Sequence, residues 1–212
     1  MRNWCIAFVV MLSLWSGLAQ SWADAVRATC PPVGAENFFY PAALLHPDRP
    51  DIDQFVRAWY SSNLAAMHEP SLSCGSDRNS DVYRFLWLRS FHHPIAVRIT
   101  REDRAARLEF VELSSRRGNE PGKILRQIEK QLSPAELNHF EAVLIAADFW
   151  EMPVNPSPDE EGLDGARWII EGRRAGDFHL VDRYTPRDGS FRALGILFLK
   201  LADVDVPPAQ IY

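Results

Sequence analysis

Hydrophobic and polar positions divide the chain into runs of different period. After Pro50, the residues Ile52, Phe55, Val56, Trp59, Tyr60, Leu64 and Met67 recur at helical spacing, with Asp51 or Asp53 able to cap the start and Pro70 to end it. From Asp81 the period becomes two. Tyr83, Phe85, Trp87 and Phe91 alternate with Val82, Leu86 and Leu88, so both faces are partly apolar and the strand belongs in the middle of a sheet covered on both sides. His92-His93-Pro94 reads as a turn. Ile95, Val97 and Ile99 then point one way and Ala96, Arg98 and Thr100 the other, Arg101 to Arg104 form a charged turn, and Leu108 to Leu113 is a third strand. These three strands predict an antiparallel meander.

The second half repeats the alternation of element types. Gly118 to Gly122 is a loop. Lys123 to Gln131 fits either a helical stripe or an edge strand, and strand is the preferred assignment. Ser133-Pro134-Ala135-Glu136 opens a helix, with Ser at the cap, Pro in the first turn and Glu three residues on, and Leu137, Phe140, Leu144 and Ala147 face inward. Pro153, Pro156 and Pro158 close that unit before the acidic stretch Asp159 to Asp164. Ala166 to Tyr184 is a hairpin turning at Ala175-Gly176, and Phe191, Leu194, Leu197, Phe198 and Leu201 make a last amphipathic helix ahead of a loose Pro207-Pro208 tail. Strands joined by short turns argue for an α+β fold, a single domain over residues 51–212 with an antiparallel sheet (meander plus late hairpin) packed with about three helices.

The start of the chain adds a compartment. Arg2, an apolar stretch from Trp4 to Ala19, and Ser21-Trp22-Ala23 before Asp24 are the three parts of a secretory signal peptide, residues 1–23. The apolar run is shorter than the roughly 20 residues of a spanning helix, so no transmembrane segment is expected in the mature chain. Residues 24–50, with Pro31, Pro32, Pro41, Pro47 and Pro50, read as an irregular arm. Export removes Cys5 and leaves Cys30 and Cys74, which predicts one disulfide formed in an oxidising space, worth about 4 kcal/mol on the chain-entropy view. A net charge of −5 and a composition that is 47% hydrophobic and 24% charged exclude disorder and give no electrostatic footprint for nucleic acid.

Four stretches carry a likeness to other proteins: Tyr83-Arg84-Phe85-Leu86-Trp87-Leu88-Arg89-Ser90-Phe91, Asn119-Glu120-Pro121-Gly122, Phe149-Trp150-Glu151-Met152-Pro153, and Gly162-Leu163-Asp164-Gly165-Ala166-Arg167-Trp168-Ile169-Ile170-Glu171-Gly172 with Phe178-His179. Over residues 80–200 the chain resembles a family of uncharacterised secreted bacterial proteins. The resemblance implies an exported protein and a strand at Lys123–Gln131, and it brings no activity with it.

The sequence holds no Gly-rich phosphate loop, no Gly-x-Ser-x-Gly, no His-Glu-x-x-His and no Cys-x-x-Cys. Asp159 to Asp164 lacks calcium-loop spacing, and His92-His93 on a strand would point to opposite faces, so neither a metal nor another cofactor is expected. The polar set with most chemistry lies on the hairpin. If its turn has an odd number of residues, Glu171 sits opposite His179, with Arg183 four residues further along the same face, and a carboxylate beside an imidazole supports acid–base catalysis. Arg84, Arg89 and Arg98 add positive charge to the meander, although Arg84 and Arg89 have opposite strand parity. Together with Arg183 and the aromatic rings of Trp87 and Trp168 they are candidates for binding, while Trp59, Trp87, Trp150 and Trp168 also lie on core stripes. The leading expectation is a non-catalytic periplasmic or secreted protein that binds a protein partner or small ligand in the cell envelope. The alternatives are an envelope hydrolase using Glu171 and His179, and a structural accessory subunit of an envelope complex.

Overall fold

The alternating run from Asp81 forms the long strand β1 (Ser80–Arg89), whose burial on both faces puts it inside the sheet. The computed structural model describes residues 39–75, 78–114, 121–155 and 164–212. The elements run α1 (Pro50–Ala66), β1, β2 (Ile95–Glu102), β3 (Ala105–Leu113), β4 (Ile124–Leu132), α2 (Pro134–Ala146), β5 (Ala166–Arg174), β6 (Asp177–Tyr184) and α3 (Gly189–Leu201), with short 3-10 turns at Phe149–Glu151 and Pro208–Gln210. The six strands make one sheet in the order β4-β3-β2-β1-β5-β6. Every neighbouring pair is antiparallel. The fold is a single α+β domain, as the pattern predicts, and Lys123–Gln131 belongs to a strand at the edge.

The period-two alternation sorts side chains into two cores. Tyr83, Phe85 and Trp87 of β1, with Ile95, Val97 and Ile99 of β2, face α2 and α3. Val82, Leu86 and Leu88 face α1, which contributes Val56, Tyr60 and Leu64, with Met67 at its C-terminal cap. Phe55 departs from the expected stripe: it is 65% exposed. Helix α2 begins with the full capping box, Ser133 Oγ accepting from the Glu136 N–H while Glu136 accepts from the Ser133 N–H. Helix α3 approaches the sheet closely at Gly195, where a Cβ would lie 2.6 Å from the Trp168 ring. The tail is not loose. Trp168 Nε1 donates to the Tyr212 carbonyl at 2.8 Å, and Arg192 donates to the Ile211 carbonyl at 3.1 Å.

Neither Asp51 nor Asp53 caps α1, which starts on Pro50 with no side-chain cap bond. Asp53 instead holds the arm, accepting backbone N–H bonds from Ala43 (2.9 Å), Leu45 (3.0 Å) and His46 (3.2 Å) and one from Arg57 Nε at 2.6 Å. This clamp presses Tyr40 and Leu45 into the core beneath α1. Residues 1–23, read above as a signal peptide, Cys30 and most of the acidic stretch Asp159 to Asp164 lie outside the described residues, so the signal peptide and the Cys30–Cys74 pair remain expectations.

Burial opposes ionisation of Asp53, but Arg57 and the three backbone donors outweigh it and hold its pKa below the ordinary carboxylate range. A depressed folded-state pKa means that the carboxylate's contribution is present above its unfolded pKa of about 3.9 and is lost as pH falls through the lower folded value. Asp53→Ala is expected to lower stability by about 2–3 kcal/mol at pH 7. In urea unfolding, its difference from the native chain should shrink on acidification below the carboxylate range.

Candidate functional site

The register of the late hairpin decides the acid–base candidate. Ala175 (φ 52°) and Gly176 (φ 92°) form a two-residue loop with both residues left-handed, the geometry that matches the twist of paired strands. Arg174 therefore pairs with Asp177, Gly172 with His179, and Glu171 with Leu180. Glu171 and His179 thus lie on opposite faces of the sheet and cannot act on one substrate. His179 sits among Phe149 and Trp150, at ring distances of 5.1 and 6.0 Å. Burial pushes its pKa below the ordinary histidine value, against the Met152 backbone and the Glu151 charge. Arg183 does share the face of His179, but its guanidinium donates to the carbonyls of Pro153 (2.9 Å) and Val154 (2.9 Å), tying that loop to β6.

Glu171 belongs to a row of charges crossing four strands under α1. Glu109, Arg98, Arg84 and Glu171 are consecutive cross-strand partners on β3, β2, β1 and β5. Arg84, expected as a binding candidate, is fully buried and donates to both Glu171 oxygens at 2.6 and 2.9 Å. Arg98 pairs with Glu109 at 2.7 Å. Two arginines directly opposite each other would repel. Glu69, just beyond α1, separates them with one carboxylate oxygen, 2.8 Å from Arg98 Nε and 3.2 Å from Arg84 Nη1. The Pro70 carbonyl takes a further bond from Arg84 at 2.6 Å.

Burial works against the Arg84 charge, yet Glu171, Tyr40 and Glu69 beside it hold its pKa above the ordinary value. Burial likewise pushes the Glu171 carboxyl up, against the pull of Arg84. A second buried group sits nearby, where Asp182 accepts from Tyr60 at 2.9 Å and faces Arg167 at 3.6 Å. Asp182 thereby ties α1 to the sheet through Tyr60, while Glu171 joins β5 to β1 through Arg84. Trp168 is likewise enclosed in the core and offers a ligand nothing.

The remaining candidates, Arg89 and Trp87, meet at the end of β1. There a cavity of about 330 Å³ is lined by Arg89, Phe91, His92, His93, Glu112 and Gln210. Its volume is at the lower end for small-ligand sites. Arg89 is 4% exposed, stacks 4.1 Å over the Trp87 ring and donates Nη2 to the His93 carbonyl at 3.0 Å. Its Nε has no acceptor and, among the described residues, no carboxylate pairs with it. Burial lowers its pKa to about 10. The imidazoles beside it are fixed: His92 Nδ1 bonds the Tyr212 hydroxyl at 2.9 Å and His93 Nδ1 meets Glu112 Oε1 at 3.0 Å. Burial and the Arg89 charge hold His92 below the ordinary histidine pKa. Sequence reasoning named Arg89 and Trp87, whereas the contribution of Gln210 and Tyr212 depends on where the tail returns.

No family model matches the chain, and no curated protein matches it. Among the described residues no cluster of three or more His, Cys, Asp or Glu side chains could hold a metal ion, and no helix is long and apolar enough to cross a membrane.

Removing one member of the Arg84–Glu171 pair leaves the other charged and buried, which costs about 3–5 kcal/mol, while apolar replacement of both is tolerated far better. Arg84→Met and Glu171→Leu should each destabilise by that amount in denaturant unfolding. The double variant should recover most of the loss.

Proposed function

We propose that the protein is exported to the periplasm or beyond and serves there as a non-catalytic binding protein, taking a small ligand in the cavity at the end of β1. Export is supported by the pattern of residues 1–23, by the two cysteines left in the mature chain and by the resemblance to secreted bacterial proteins. The observation that carries the binding function is the cavity itself, about 330 Å³ with several polar side chains already held in place by hydrogen bonds. Glu171 takes no part in catalysis on this reading, because its carboxylate is enclosed beneath α1 and engaged by Arg84.

A second reading, docking to a protein partner, is favoured by Phe55, 65% exposed on α1. Phe55→Ser should then abolish capture of a native envelope partner, and unchanged capture removes this alternative.

Two measurements test the main reading. Mass spectrometry of exported material should find Asp24 at the N-terminus, and the unreduced protein should show no reactive thiol. A thermal-shift screen of small metabolites should yield stabilising compounds whose effect disappears in Gln210→Trp, which fills the cavity from the tail. Turnover of a compound, or hits indifferent to that substitution, would overturn the proposal.

A further inference from the structure

The cavity ligand is given a chemical class by Arg89, an inference that rests on the binding site proposed above. We infer that this cavity binds a small carboxylate with a flat apolar body, its carboxylate set against the Arg89 guanidinium and its body against Phe91. Two observations and two chemical arguments lead there. Arg89 is a cation held out of water, with a donor left over and no bonded carboxylate among the described residues, and burial outweighs the more distant charges of Tyr212 and Glu112. A buried guanidinium in that state is destabilised until an anion joins it. The guanidinium is immobilised by the Trp87 ring on one side and the His93 carbonyl on the other, so little freedom is lost when a ligand arrives. Its planar fork matches a carboxylate.

The charge on the lining favours a monoanion. Glu112 is the acid among the lining residues, and its Oε1 already faces His93. Arg89 and a singly charged ligand neutralise each other, whereas a phosphate dianion would leave an excess negative charge beside Glu112. The apolar body follows from Phe91, a ring 61% exposed on the cavity lining. The volume of about 330 Å³ admits a ligand built on a single ring.

The test titrates the exported chain by calorimetry with phenylacetate, its neutral analogue phenylacetamide, and phenyl phosphate. In parallel, NMR follows the imidazole resonances of His92 and His93, which line the cavity. Phenylacetate should bind, move both imidazoles and outcompete the amide at least tenfold. Arg89→Met removes the charge while keeping the stem over Trp87, and it should fold as well as the native chain because it deletes an unpaired buried cation. It should weaken phenylacetate at least tenfold and leave the amide unchanged. Arg89→Lys should fall between, since it keeps charge without the fork.

Equal binding of acid and amide, with the imidazoles moving, would sink the charge assignment and leave the binding site standing. A tenfold preference for phenyl phosphate would overturn the carboxylate class. Loss of folding in Arg89→Met, with no movement of the native imidazoles by any of the three probes, would make Arg89 a structural residue. If the wider screen also finds no compound sensitive to Gln210→Trp, the binding function falls with it.

Discussion

One carboxylate oxygen of Glu69 stands between two arginines that the sheet places directly opposite each other. Arg84 and Arg98 occur on neighbouring strands because the β1–β2 register that buries Phe85 against Val97 brings them together one position away. Without Glu69 the two like charges would face each other in a poorly hydrated layer. With it, four charged side chains on four strands become a connected row, and the chain segment leaving α1 is pinned to the centre of the sheet. The other helices need no such device, because α2 and α3 cover the opposite face with Leu, Phe and Ala side chains. The domain is therefore asymmetric: on one face hydrocarbon with ion pairs at the more exposed rim, on the other hydrocarbon interleaved with buried ion pairs.

That asymmetry separates the roles of arginines that look alike in the sequence. Arg84 and Arg98 point toward α1 and find acids there. Arg89, of opposite parity on the same strand as Arg84, points to the other face at the strand's end, where the layer meets the β1–β2 turn and the returning tail. Its neighbours are Trp87, two imidazoles, a carbonyl and, farther off, Tyr212 and Glu112, whose charges favour it without an ion pair among the described residues. The same guanidinium chemistry is structural where carboxylates bond it directly, as at Arg84, and differs at Arg89, where Glu112 acts only from a distance.

The hairpin shows how a correct local assignment can still miss a site. Ala175-Gly176 was legible as the turn from its residue types. Whether Glu171 met His179 depended on the number of residues in the loop, and in a sheet a shift of one residue moves every side chain to the opposite face. The left-handed backbone at both turn residues makes the loop two residues long, which separates the pair. Asp53 carries the same lesson: its position near a helix start suggested a cap, but its carboxylate turns to the backbone of the arm, a contact that short-range pattern does not encode.

The order and type of the elements, the central place of β1 and the two covered faces of the sheet were legible along the chain. Each follows from local periodicity: 3.6 residues for a helical stripe, two for a strand, and turn residues between them. Which charges meet was settled by the assembled sheet. Ion pairing depends on register and on chain returns, Glu69 reaching Arg98 across 29 positions and Tyr212 reaching His92 across 120. Distances of that kind are set by the packing of whole elements, so the ion pairs around Arg84 and the place of Arg89 on a cavity wall became visible only once the sheet was assembled.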